Sequence, residues 1–317
     1  MKKIILTLLI LTLIINLTAC QDQEITYTDN QPFTLEIKGN SLKILQITDL
    51  HLMFGIDYRD QQTFDLIKRL SKHDDYDLIV ISGDLTMSPQ APQLFSRLID
   101  VMESLKTPWT FIFGNHETDF HEYQDFLSKI IDTSYLYFKV GPQLEEGGVG
   151  NFKINFSKND QIFYHAYFMD SKAERHNDPS IIGNYDYINS HQVLWYEDLV
   201  VQDNHESIVF MHMPLIQFDV EKEIVIGIYN EKQVYAQGKD EGFFDAMKLH
   251  GKSKAVFVGH DHLNDFYVMV DGIMLAYGRA TGYNGYGNLE RGGRHIEISL
   301  DGLLSTSIIL NSEVTHD

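Results

Sequence analysis

Five short apolar runs in this chain each stop at histidine, aspartate or asparagine. LKILQITDLH ends in Asp49 and His51, DLIVISGD in Asp84, and TPWTFIFGNHE in Asn115 and His116. SIVFMHMP runs into His212, and KAVFVGHDH ends in His260 and His262. Short apolar runs bounded by turn signals read as buried strands. In open α/β sheets ligands gather beyond the carboxyl ends of the strands. Five strands that all deliver nitrogen and oxygen donors there are expected to bring those ends to one edge. Gly83, Gly114 and Gly259 stand just before three of the clusters, where glycine permits tight turns and close backbone approach.

The intervening segments fit that layering. TFDLIKRLSK from Thr63, PQLFSRLIDVMESL from Pro92 and HEYQDFLSKI read as helices, with Pro92 tolerated in a first turn. NFKINF and QIFYHAYFMD form a predicted hairpin. NSHQVLWYEDLV is a predicted helix capped by Asn189 or Ser190, with Trp195 packed against a sheet. Strands and turns alternate from Asp265 to Leu310. The alternation of apolar strands and amphipathic helices gives an α/β class. The spacing marks no domain boundary inside residues 41–317.

The eight strand-end donors are two aspartates, one asparagine and five histidines. Imidazole with carboxylate suits borderline ions such as Mn, Fe, Zn or Ni. The single cysteine, Cys20, rules out a thiolate cluster. One ion needs about three or four protein ligands, so eight donors suit two ions, about 3.5–4 Å apart, sharing a carboxylate. Asp84, on the central run, is the natural bridge. A lone histidine at a strand end is more often a hydrogen-bonded structural residue; the joint occurrence of the clusters carries the metal reading.

The formal net charge of −20 would repel phosphate backbones, so no nucleic acid duplex is expected as a partner. An anionic substrate would need locally supplied positive charge, which bound metal provides. The start, MKKIILTLLILTLIINLTAC, has two lysines, an apolar stretch and a Leu-x-Ala-Cys ending. This is a signal-peptide pattern, and its ending resembles a bacterial lipobox. The expectation is a leader over 1–19, lipidation of Cys20, a tether over 20–40 with an edge strand in PFTLEIKG, and one domain over 41–317. The protein would then sit outside the cytoplasm, held to a membrane only by its lipid. A plain membrane-spanning anchor over Ile4–Gln21 is the alternative. Oligomeric state leaves no mark in the sequence.

Taken in order, Asp49-x-His51, Gly83-Asp84, Gly114-Asn115-His116-Glu117, His212 and Gly259-His260-x-His262 resemble the calcineurin-like metallophosphoesterase superfamily from Leu42 to about Leu300. The resemblance implies a four-layer α/β/β/α sandwich of two mixed sheets with a binuclear centre at the sheet edge. Asp49, His51, Asp84 and His262 would hold one ion; Asp84, Asn115, His212 and His260 the other. His116 would face substrate and is implied to be catalytic, not a ligand. The tail AYGRATGYNGYGNLERGGRHIEI is similar to a Dcr2-like or purple-acid-phosphatase-like branch. The purple enzymes place a metal-binding tyrosine three residues after the Gly-Asp aspartate; Met87 stands here, so their charge-transfer colour is not expected.

The implied activity is metal-dependent phosphoester hydrolysis by a hydroxide bridging two divalent or transition metal ions, with a phosphomonoester as the foremost substrate. A phosphodiesterase or nucleotide hydrolase of the same fold is one alternative; a non-catalytic, lipid-anchored, metal-containing binding protein is another. His116 would give a proton to the leaving oxygen, and Asp49 or Glu117 would orient a neighbouring imidazole. Arg279, Arg291 and Arg294 lie in or beside a glycine-rich stretch and are candidates to fork phosphate oxygens. The opposing reading pairs them with Glu290 or Asp271. Tyr283 and Tyr286 either stack on substrate or pack their loop, and Asp170 is expected at a strand end near the site.

Overall fold

The computed structural model describes residues 24–175 and 178–315. The leader and Cys20 lie outside the described residues. No described helix is long and apolar enough to cross a membrane.

Among the described residues, twelve strands form two mixed sheets. The five-stranded sheet runs β12 (Leu304–Leu310), β11 (Gly292–Ser299), β2 (Ser41–Ile47), β3 (Leu78–Ser82), β4 (Trp109–Ile112). The seven-stranded sheet runs β1 (Phe33–Glu36), β5 (Phe152–Lys158), β6 (Gln161–Phe168), β7 (Ser207–Phe210), β8 (Ser253–Val258), β10 (Ile273–Tyr277), β9 (Tyr267–Val270). The strands that end in donors, β2, β3 and β4 in one sheet and β7 and β8 in the other, pair in parallel within each sheet. Their carboxyl ends therefore come out on one side.

Side chains alternate along a strand, and here both faces are apolar. Leu42, Ile44, Leu78, Val80 and Ile112 join the core shared with the other sheet. Leu45, Ile47, Ile79, Ile81 and Phe111 pack instead with the apolar stripes of α1 (Tyr58–Leu70) and α2 (Ala91–Leu105). The outer face of the seven-stranded sheet is covered by α4 (Ser190–Val200) and α5 (Phe243–His250). The result is the four-layer α/β/β/α sandwich.

Local chemistry sets the ends. Helix α1 starts five residues before Thr63 because the Asp57 carboxylate caps it, accepting from the Arg59 N–H. Helix α4 starts at a capping box in which Asn189 and Gln192 each accept from the other's backbone N–H. The helix expected over HEYQDFLSKI shrinks to α3 (Tyr123–Leu127). Its last carbonyls are taken by i→i+3 bonds from Lys129 and Ile130, and Asp132 turns left-handed at φ 53°, which ends the helix. Trp195 is buried in α4, and its indole N–H donates to Asn30 at 2.8 Å. Together with the Thr28–Gly141 bonds, this fastens the segment before β1 to the domain.

A buried ionic group lies away from the donor edge. Lys153 pairs with Asp203, whose carboxylate also accepts from the Tyr167 hydroxyl, and His165 Nε2 lies 3.5 Å from it. Burial, then the Lys153 charge, pushes the His165 imidazole down to about 4 from 6.5. Between those two values the unfolded chain binds a proton that the folded chain does not. Stability therefore falls as pH drops from 6.5 to 4. Urea unfolding across that window should show a slope shallower by up to about one proton in His165→Gln than in the parent. Identical slopes would rule out a neutral, buried His165.

Candidate metal centre

Four of the expected ligands sit on left-handed backbone: Asp49 (φ 56°), His51 (φ 45°), Asp84 (φ 52°) and His260 (φ 77°). Positive φ is uncommon outside glycine, and such strain gathers at functional sites. Here it folds each chain back at its strand end so that the side chains face one another. The turns are locked to each other. Asp49 N–H donates to Gly83 O at 3.2 Å and His51 N–H to Asp84 O at 2.9 Å. His260 N–H donates to Asp49 Oδ1 at 3.0 Å, and His116 N–H to Asp84 Oδ1 at 3.1 Å. Gly83 is obligatory: at φ 95°, a Cβ there would fall 2.4 Å from the His212 ring.

Two donor groups result, Asp49–His51–Asp84–His262 and Asp84–His212–His260, each with its ligand atoms within 4.8 Å of one another. Asp84 belongs to both. Its Oδ2 is 3.5 Å from His51 Nε2 and 3.1 Å from His212 Nε2. Asn115 Oδ1 joins the second group, 3.2 Å from His212 Nε2. Asp49 Oδ1 lies 3.3 Å from His262 Nε2.

Cations fit this arrangement. His212 Nδ1 faces only the carbonyl of Ser82 at 2.8 Å, and His262 Nδ1 faces that of Tyr286 at 3.1 Å. Each Nδ1 must donate there, which turns the Nε2 lone pair inward, the usual arrangement behind a metal-bound imidazole. His51 Nε2 and His262 Nε2 then stand 3.0 Å apart, and His51 Nδ1 is buried without a partner among the described residues. Burial would raise the Asp84 carboxyl, but His212 and His51 around it hold it well below the usual range. Asp49 is held low in the same way by His262 against its burial. Burial pushes His51 and His260 down to about 3. His212 goes the other way: the Asp84 charge outweighs its burial and pushes it up to about 10. Asp84 thus draws positive charge to this point, a place a cation fills while displacing the proton.

His116 stands at the mouth, its ring 5.2 Å from that of His51. Its Nδ1 is 2.7 Å from Asp119 Oδ2. Burial opposes its charge, but Asp84 and the bond to Asp119 raise it above the ordinary imidazole value. The sequence reading missed Asp119; the i, i+3 spacing inside HETD was the available signal. Of the two carboxylates expected to orient an imidazole, Asp49 or Glu117, Glu117 does not do so. It is fully buried and accepts from the N–H groups of Gly114 (2.6 Å) and Thr86 (3.0 Å), pinning the turn instead.

The arginine expectation is also corrected: none of the three lines the cavity over the centre. Arg279 pairs with Asp265 and donates to Glu290 O. Arg294 is buried and bonds the carbonyls of Tyr277 and Asp265. Arg291 binds the carbonyls of Gly285 and Tyr286 and so holds the loop in place. Asp271 is engaged elsewhere, with Lys248. Of the two tyrosines, Tyr283 donates its backbone N–H to Thr63 and packs by the helical layer, whereas Tyr286 lines the cavity and stacks on His262 at 4.1 Å. Asp170 is buried, accepting from Val149 and Lys172 N–H, and does not reach the cavity. The cavity measures ≈ 560 Å³, and Met87 is in its wall, as are Tyr185, Glu231, Tyr235 and Asp261. The sequence reading had no hold on the last four, which lie largely in irregular chain.

A sandwich that gathers carboxylates and imidazoles for two cations beyond its strand ends defines the binuclear metal-dependent hydrolases. The chain belongs to the calcineurin-like phosphoesterase family, which matches it over residues 42–264. It is 27% identical over 308 residues to "Probable inactive purple acid phosphatase 29" of Arabidopsis thaliana, covering 83% of this chain and 78% of that one. It is 28% identical over 282 residues to "Phosphatase DCR2" of Saccharomyces cerevisiae, covering 77% of this chain and 48% of that one. Among solved structures it is similar in fold to a dimetal phosphatase from Danio rerio, with a TM-score of 0.56 at 11% identity, covering 85% of this chain and 99% of the other.

Proposed function

We propose that the protein hydrolyses phosphomonoesters with two divalent or transition metal ions, one in the Asp49–His51–Asp84–His262 group and one in the Asp84–Asn115–His212–His260 group. The observation that carries this reading is the place of Asp84 in both groups, directly beneath a cavity that His116 also lines. Ions bound there would neutralise phosphoryl oxygens and supply an activated water. The chain's own part is to hold them and to manage the leaving group. Asp119 fixes His116 through Nδ1, leaving Nε2 to hold a proton for the departing oxygen. A cavity of ≈ 560 Å³ has room for a small phosphate ester and part of its alcohol.

The word "inactive" in the names of several plant relatives favours a second reading, a metal-containing protein without turnover. Retention of the His116–Asp119 pair, which no ion needs, speaks for catalysis. The Mn²⁺-loaded full-length protein should hydrolyse an aryl phosphate monoester at least about tenfold faster than the aryl diester, a preference of at least about 1.4 kcal/mol, and chelation should stop both. Inverted preference would point to a diesterase. No turnover of either ester with two ions bound per chain would leave the non-catalytic reading standing.

A further inference from the structure

The cavity holds a second message, in the charges it lacks. Among the described residues that line it there is no lysine or arginine; Arg279 and Arg294 are held by Asp265 and nearby carbonyls, and Arg291 by the carbonyls of the loop. With ions serving the phosphoryl group, the alcohol side meets Tyr185, Tyr235 and Tyr286 together with Glu231 and Asp261. Both carboxylates are buried, at 7% and 2% exposure. Glu231 Oε1 accepts from the Tyr286 hydroxyl at 2.6 Å and from Leu263 N–H at 3.2 Å. Asp261 Oδ2 accepts from the Tyr277 hydroxyl and Tyr235 N–H, yet its Oδ1 is buried with no partner among the described residues. A buried carboxylate oxygen without a donor is costly unless the group takes up a proton or a positive charge completes it. Tyr235 and Tyr286 stay partly open, at 38% and 49% exposure; one face of Tyr286 is stacked on His262 and the other is open to a ligand.

Aromatic faces beside carboxylates recognise ammonium groups. We propose that the cavity selects phosphate esters of ammonium-bearing alcohols, with the phosphoryl group over the metal centre and the ammonium among the tyrosines and Glu231. This rests on the phosphoesterase reading and narrows it. A second anionic group on the alcohol would face two buried carboxylates and be rejected. A neutral alcohol would gain nothing from the Glu231 carboxylate or the tyrosine faces.

The test uses the full-length, Mn²⁺-loaded protein and three esters: phosphocholine, its uncharged isostere 3,3-dimethylbutyl phosphate, and 2-carboxyethyl phosphate. Phosphocholine should exceed the isostere in kcat/KM by about tenfold, with the carboxyl ester slowest. Glu231→Gln and Tyr235→Leu should each shrink the phosphocholine-to-isostere ratio, which is read independently of any overall change in rate. Titration calorimetry with the same pair should give a matching affinity ratio and needs no turnover. A ratio near one by both measures overturns the inference, and a ratio untouched by both substitutions does the same. Hydrolysis of an aryl phosphate alongside a ratio near one would sink only this inference. If no ester turns over, the phosphoesterase reading falls and the calorimetric ratio alone decides ammonium recognition.

Discussion

Asp84→Asn is expected to empty both ion sites together and to lower turnover by at least about 10³-fold, since even residues that merely support metal ligands cost 10–100-fold when lost. The substitution keeps the shape and the left-handed backbone, which asparagine tolerates as aspartate does, at the observed φ of 52°. It removes only the charge and one acceptor oxygen. In the parent, Oδ2 faces both His51 and His212 while Oδ1 receives the His116 N–H. A neutral amide cannot bridge two cations with one oxygen while also accepting that bond. Asn115→Ala makes the contrast, because Asn115 approaches only the His212 side; it should lose one ion and keep the other. Elemental analysis per chain, with initial rates on an aryl phosphate, reads both outcomes. Two ions retained in Asp84→Asn at parental rates would show that Asp84 bridges nothing. Asp84 is not part of either apolar core, and the substitution is nearly isosteric, so the variant should fold, though it should lose the extra stability that bound metal confers on the parent.

Much of this site is legible before any coordinates because its chemistry is written at strand ends. A strand such as LIVIS, four apolar residues and a serine, reads as buried, and the residues after it emerge at the sheet's edge. Glycine before Asp84 is equally readable, since the His212 ring occupies the space a side chain would need. What escapes the sequence is any residue whose role depends on which carbonyl or carboxylate happens to face it. Arg279, Arg291 and Arg294 look like phosphate ligands by type and by their glycine-rich setting. They are consumed instead by Asp265 and by backbone carbonyls, of the loop for Arg291 and of Tyr277 and Asp265 for Arg294. Glu231 and Tyr235 lie in the chain between Ile224 and Phe243, which holds no helix or strand, so no pattern points to their shared cavity. Helix α5 is illegible for a related reason: it spans only eight residues, Phe243–His250, between two left-handed glycines at 242 and 251. That is too short for an apolar stripe to declare itself.

His116→Ala should separate catalysis from metal holding. Its imidazole belongs to neither donor group, so both ions should stay, yet kcat on an aryl phosphate should fall by about 10²–10⁴-fold, the usual worth of a positioned general acid. The loss should be smaller for esters whose alcohol leaves without help, such as a dinitrophenyl phosphate, because the proton matters least there. That dependence on leaving group is what a merely structural histidine would not produce. Asp119 is the positioning residue behind it. Its carboxylate, 2.7 Å from His116 Nδ1, helps to raise the imidazole above its ordinary value. The acid form must be present for turnover, so the alkaline limb of the rate profile follows the His116 pKa. Asp119→Asn removes one charge that favours the imidazolium, so that limb should move to lower pH while the metal content stays constant. An alkaline limb that stays put in Asp119→Asn, together with equal losses on good and poor leaving groups in His116→Ala, would assign proton delivery to some other group in the cavity.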